Sequence, residues 1–150
     1  MSLVTTGRPA GARSIGEILA AARSRLVRLT PDQAFAAVSG RPVPACGDAV
    51  LVDIRPASQR AVDGEIPASW IIERNHLEWR LDPASSARLP WVAGYDQQVI
   101  VFCQEGYTSS LAAAALLDLG LSRATDVIGG FAAWEAAGLM STSVAPSAIS

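Results

Sequence analysis

The 150-residue chain is about one domain long. Half of its residues are hydrophobic, 17% are charged, and 12 basic against 14 acidic side chains leave a formal net charge of −2. With no run of Lys and Arg, no apolar stretch near the ~20 residues of a membrane span, and no apolar core in the opening MSLVTTGRPAGARS, neither nucleic acid, a membrane nor a secretion signal is expected. The two cysteines, Cys46 and Cys103, stand at no metal-ligand spacing. A reducing cytoplasm is therefore the expected compartment, with no disulfide framework and no metal site.

Residues 1–13 and 141–150, rich in small and polar side chains, read as flexible ends around one domain over 14–140. Ser14 followed by Glu17 is a capping box that opens an extra N-terminal helix over 14–28, running to about Val27. Thr30-Pro31-Asp32-Gln33 starts a second helix, with Pro at its first position, ending near Ser39-Gly40. GRPVPACGD, 40–48, is a loop. AVLVDI, 49–54, is a β-branched run suited to a strand covered on both faces. Arg55-Pro56 turns into a short helix over 57–62, and 69–72 is a short strand after the turn DGEIPA. Asn75 and Glu78 repeat the capping spacing around Leu77-Trp79. QVIVFC, 98–103, is the clearest strand, 109–119 a helix stopped by Gly120, 124–130 a last strand, and 131–138 a short helix.

Strands alternating with helices imply βαβ units and a mostly parallel sheet. In such sheets ligands bind beyond the carboxyl ends of the strands, which is where Cys103 stands. Cys103 to Thr108 form a six-residue link into the helix. A short loop closing onto a helix start turns backbone N–H groups inward, and such a nest attracts anions. The helix end favours thiolate, the reactive form of cysteine. Gly106 supplies the backbone freedom the curl needs, and Thr108 or Ser109 can cap the helix or donate to the sulfur.

This loop resembles the active-site loop of the rhodanese family of sulfurtransferases. VLVDIRP is similar to the family's strand ending in Asp-x-Arg, DGEIPASW to its Gly-His-Ile-Pro-Gly-Ala turn, and DVIGGFAAWEAAGL to its carboxyl-terminal Gly-Gly-x-x-x-Trp segment. The likeness spans roughly residues 29–139. It implies an α/β three-layer sandwich, a mostly parallel sheet of about five strands with helices on both faces. It also implies a single domain with Cys103 at the persulfide-carrying position and Gln104, Glu105, Gly106, Tyr107, Thr108 and Ser109 around the substrate. No metal or organic cofactor is implied. The partners would be a small sulfur donor and a thiol or cyanide acceptor, with a protein acceptor as a further option. In the turn, Glu65 replaces the family's usual His and Ser69 stands where Gly is frequent. In the loop, Gln104 and Glu105 replace the Arg or Lys often found in enzymes that use thiosulfate, so like-charge repulsion argues against that dianion.

Plainer readings stand beside these. Cys103 could be an inert buried thiol. Cys46, in a Pro/Gly loop, reads as a bystander, with a resolving role as the weaker alternative. The resemblance places Asp53 near the loop and makes Asp53 and Arg55 candidates to line the pocket; the plainer, preferred reading is a structural ion pair or a hydrogen bond to turn amides at the sheet edge. The lone His76 reads as a surface or packing residue. Arg74, His76 and Arg80 nevertheless follow a strand whose carboxyl end faces the loop, and are candidates to line it. Trp79 and Trp134 read as core, and Gly129-Gly130 as tight packing at a strand–helix junction. Two rivals to the enzyme are a binding or regulatory module on the same fold and a phosphatase of the same architecture. The latter needs Cys-x5-Arg to clamp a phosphate, whereas Ser109 is the sixth residue after Cys103 and no Arg occurs between 103 and 122.

Overall fold

The computed structural model describes residues 7–39, 48–92 and 94–142. Cys46, most of the predicted loop 40–48, and residues 1–6 and 143–150 of the predicted flexible ends lie outside the described residues. In chain order the elements are α1 (Ile15–Ser24), α2 (Pro31–Val38), β1 (Ala49–Asp53), α3 (Ala57–Asp63), β2 (Trp70–Ile71), a 3₁₀ turn (Arg74–His76), α4 (Leu77–Leu81), β3 (Gln98–Phe102), α5 (Thr108–Asp118), β4 (Thr125–Asp126) and α6 (Gly130–Ala136).

Of the three predicted capping signals, those at Ser14 and Thr30 form; at Asn75 none does, because the cap positions of the 3₁₀ turn and α4 fall on Glu73 and His76, with no side-chain cap. Ser14 Oγ accepts from the Glu17 N–H and Glu17 reaches back to the Ser14 N–H; Thr30 and Gln33 do the same at α2. The backbone N–H of Ser14, and then its hydroxyl, hold the exposed Glu17 carboxyl below its ordinary range.

The strands pair in the order β2-β1-β3-β4, all parallel. β1 and β3 run in register from Ala49 opposite Gln98 to Asp53 opposite Phe102. Among the described residues four strands form where about five were expected, and the fifth is reduced to one parallel bridge between Leu29 and Val127. That bridge explains why α1 ends at Ser24 rather than near Val27. Thr125 Oγ1 donates to the Val27 carbonyl, Leu29 N–H to Asp126, and Ile128 N–H to Leu29, so 27–29 lies along β4 instead of continuing the helix. The last strand does not reach the expected residue 130 because Gly129 and Gly130 take φ of +78° and +62°, which breaks the extended chain.

Alternate residues of the central strands face opposite ways. Val50, Val52, Val99, Val101 and Cys103 pack with Leu77, Leu81, Ala112, Ala113 and Leu116 of α4 and α5. Ala49, Leu51, Ile100 and Phe102 pack with Ala34 of α2 and Phe131 and Trp134 of α6. α1 lies outside α5 on the first of these faces. Helices thus cover both faces of a parallel sheet, as the sequence implies. No helix of the described residues is long and apolar enough to cross a membrane.

Candidate functional site

β3 delivers Cys103 to the carboxyl edge of the sheet, and the chain curls at once into α5. Cys103 is 6% exposed. Gly106 makes the curl possible with a φ of +87°, a left-handed conformation that glycine adopts at no steric cost. Its N–H donates to Cys103 Sγ at 3.2 Å. The loop is fixed from behind by α6, where Phe131 N–H donates to the Cys103 carbonyl and Ala132 N–H to that of Gln104. These contacts require glycine at 130, because a Cβ there would lie 2.4 Å from the Cys103 carbonyl oxygen. The expected tight junction at Gly129-Gly130 is therefore the rear wall of the loop.

A second support comes from elements the sequence did not connect to the loop. Asp126, fully buried, accepts from the hydroxyls of Ser109 at 2.7 Å and Ser110 at 2.8 Å. Arg28 meets its two oxygens at 2.8 and 3.1 Å. Arg23 of α1 and Arg28 both donate to the Gly106 carbonyl, at 2.8 and 3.1 Å. No local pattern could have revealed the contacts of Arg23 and Arg28 with Gly106, which join residues 83 and 78 positions apart.

In front of the sulfur lies a pocket of about 490 Å³. Of the predicted residues, Cys103, Gln104, Glu105, Tyr107, Thr108, Arg55 and Arg74 line it. Ile54, Pro56 and Gln59, which the sequence did not mark, complete the wall. Gly106 contributes through its N–H. Ser109 does not line the pocket, since its hydroxyl is buried against Asp126. Tyr107, not Thr108 or Ser109, occupies the cap position of α5, and no side chain caps it.

Asp53 does not face the pocket either. Strand alternation turns it to the side opposite Cys103, where Arg55 meets both its oxygens at 2.9 and 2.7 Å. The pair is buried, and Arg55 also lies over the Phe131 ring at 4.2 Å. Its remaining Nη1 donates to Gln104 Oε1 at 3.0 Å, so the ion pair fixes one side chain of the loop.

His76 and Arg80 line a separate depression with Ile71, Glu73 and Leu89. Successive side chains in a 3₁₀ turn point about 120° apart, which sends Arg74 to the loop and His76 away from it. Arg80 follows His76 by four residues and shares its face. Arg74 pairs with Glu78 at 2.7 Å. Trp134 is core as expected, but Trp79 is 63% exposed. Leu77 and Leu81, one turn apart, take the buried face of α4 and leave Trp79 outside. The left-handed residue in the turn after α3 is Ala68, with φ of +68°. The family's turn glycine therefore corresponds to Ala68 and not to Ser69.

The model of the rhodanese-like domain matches residues 42–137. The thiosulfate sulfurtransferase GlpE of Pseudoalteromonas translucida is 35% identical over 91 residues, which cover 60% of this chain and 76% of that protein. A sulfurtransferase of Allochromatium vinosum is 33% identical over 92 residues, 61% of this chain and 77% of that protein. Among solved structures, a protein of unknown function from Rhodopseudomonas palustris, described as a possible tyrosine phosphatase, superposes with a TM-score of 0.76 at 34% identity. It covers 90% of this chain and 99% of its own. The parallel sheet, the cysteine at its carboxyl edge, the family match and the similarity to named sulfurtransferases agree: the chain belongs to the family of rhodanese-like domains.

Proposed function

We propose that this protein is a sulfurtransferase that carries sulfur as a persulfide on Cys103. The observation that supports it most is the Gly106 N–H aimed at Cys103 Sγ at the floor of an open pocket. The Cys103 thiolate attacks the outer sulfur of a donor. One S–S bond forms to Cys103, the donor's own bond to that sulfur breaks, and its electron pair leaves with the donor remainder, sulfite when the donor is thiosulfate. The new terminal sulfur, one S–S bond beyond Sγ, takes over the negative charge the thiolate held. Amides of the loop stabilise that charge, and such donors are commonly worth roughly 10²–10³ in rate each. A thiol or cyanide then attacks the terminal sulfur and restores the Cys103 thiolate. The covalent intermediate divides the transfer into two easier steps.

The pocket also bears on the donor. The Arg55 charge is matched by Asp53 and that of Arg74 by Glu78, so Glu105 at the rim adds an uncompensated negative charge among these lining groups. Thiosulfate is therefore a poor donor here, and a less charged persulfide or polysulfide a better one. Steady-state kinetics with varied donor and cyanide test the mechanism. Parallel double-reciprocal lines and thiocyanate formation are expected; intersecting lines would contradict a covalent sulfur intermediate.

The structural likeness to a possible tyrosine phosphatase raises that chemistry as a second reading. A phosphatase loop holds its phosphate with an Arg from the loop or the following helix turn. Here no Arg occurs from 104 to 122, and Arg23 and Arg28 are bonded to the outer side of the loop through the Gly106 carbonyl. Absence of turnover of a phenyl phosphate ester is the expected result.

A further inference from the structure

We infer that Arg23, with Arg28, is a positioning residue that delivers positive charge to the Cys103 loop through the Gly106–Tyr107 peptide. Both guanidinium groups donate to the Gly106 carbonyl, at 2.8 and 3.1 Å. That carbonyl and the Tyr107 N–H belong to one peptide unit, and hydrogen bonds in series polarise one another. A cation on the carbonyl makes the Tyr107 N–H at the other end, which in a trans peptide points away from the two arginines, a stronger donor.

Arg23 is placed for this with unusual redundancy. Its Nε donates to Ser110 Oγ at 3.0 Å, Ser110 donates to Asp126, and its guanidinium lies 5.7 Å from the centroid of the Tyr107 ring. One side chain thus fixes the carbonyl, the following ring and the first turn of α5. The buried Asp126 carboxylate is matched by Arg28, so Arg23, Arg28 and Asp126 together carry one net positive charge behind the loop. Arg23 and Arg28 both precede residue 42, where the family match begins. The segment comprising α1 and its exit is therefore part of the site's electrostatics and not only a cover for α5.

The role of this charge in sulfur transfer rests on the persulfide reading, but its action on the thiol can be measured without any donor. In a Cys46→Ser background, so that only Cys103 reports, the rate of iodoacetamide alkylation is followed from pH 5 to 10. Arg23→Met should slow alkylation about three- to tenfold at neutral pH and move the profile to higher pH. Arg23→Lys keeps the charge and should restore most of the rate. Superposable wild-type and Arg23→Met profiles would overturn the inference. So would equal slowing by Met and Lys with no displacement along the pH axis, since that is packing alone. If Arg23→Met does not fold, Arg23→Gln against Arg23→Lys gives the same contrast between an uncharged and a charged donor. Incubating wild type with sulfur donors is the separate arm. Failure to form any persulfide would sink the sulfurtransferase reading while the alkylation profiles still decide the role of Arg23.

Discussion

Replacing Gly106 with alanine tests whether the shape of the loop activates Cys103. At φ of +87° the residue is left-handed, which costs an alanine roughly 1–2 kcal/mol. The added Cβ would also stand 2.7 Å from Gly129 N, 3.1 Å from Gly129 Cα and 3.2 Å from Gly130 N. All three are backbone atoms, held in place by the bonds from Phe131 and Ala132 to the carbonyls of Cys103 and Gln104. No side chain can swing aside, so the 104–107 loop must shift and the Gly106 N–H leaves Cys103 Sγ. Loss of one donor to a developing anion lowers kcat about 10²–10³-fold, or about 3–4 kcal/mol. Global stability should fall less, by about 1–3 kcal/mol, because the strain is confined to one loop at the carboxyl edge of the sheet. The assay is kcat for thiocyanate formation beside a urea unfolding curve on the same preparation. A Gly106→Ala protein that keeps kcat within about threefold of wild type would refute the reasoning.

Two further outcomes follow from the pocket and the turn. Glu105→Lys should raise thiosulfate kcat/KM about tenfold at low ionic strength, with Glu105→Gln between, since unit charges ~6 Å apart interact by roughly 1–3 kcal/mol at effective dielectric constants between 80 and 20. The gain should shrink with added salt, and an uncharged donor should respond little; three equal values would remove Glu105 from donor choice. Ala68→Gly should stabilise the fold by about 1 kcal/mol and raise Tm by about 2–4 °C, because glycine relieves the left-handed φ of +68°. An unchanged or lower Tm would contradict that.

Much of the fold was legible because its signals are local. Two capping boxes, two continuous β-branched runs and the cysteine between strand and glycine loop each lie within a few residues. The need for positive φ at 106 could be read from the glycine itself. What escaped was non-local or misread. Arg23 and Arg28 reach the loop across the fold, and α1 carries no mark of it in sequence. Trp79 was legible and missed: the i,i+4 spacing of Leu77 and Leu81 already turns it outward. His76 and Arg80 were separated from Arg74 by a 3₁₀ turn that capping signals do not distinguish from an α-helix start. Ala68 was legible and misread: Gly-His-Ile-Pro-Gly-Ala set against Gly64-Glu65-Ile66-Pro67-Ala68-Ser69 already puts the family's second glycine at Ala68, and the φ of +68° agrees.

Intact mass spectrometry after incubation with thiosulfate, a polysulfide and a low-molecular-weight persulfide tests the central claim most directly. Wild type and Cys46→Ser should each gain one sulfur that cyanide removes, and Cys103→Ser should gain none. A cyanide-labile sulfur on Cys103→Ser, or none on the wild type with any of the three donors, would contradict Cys103 as the carrier.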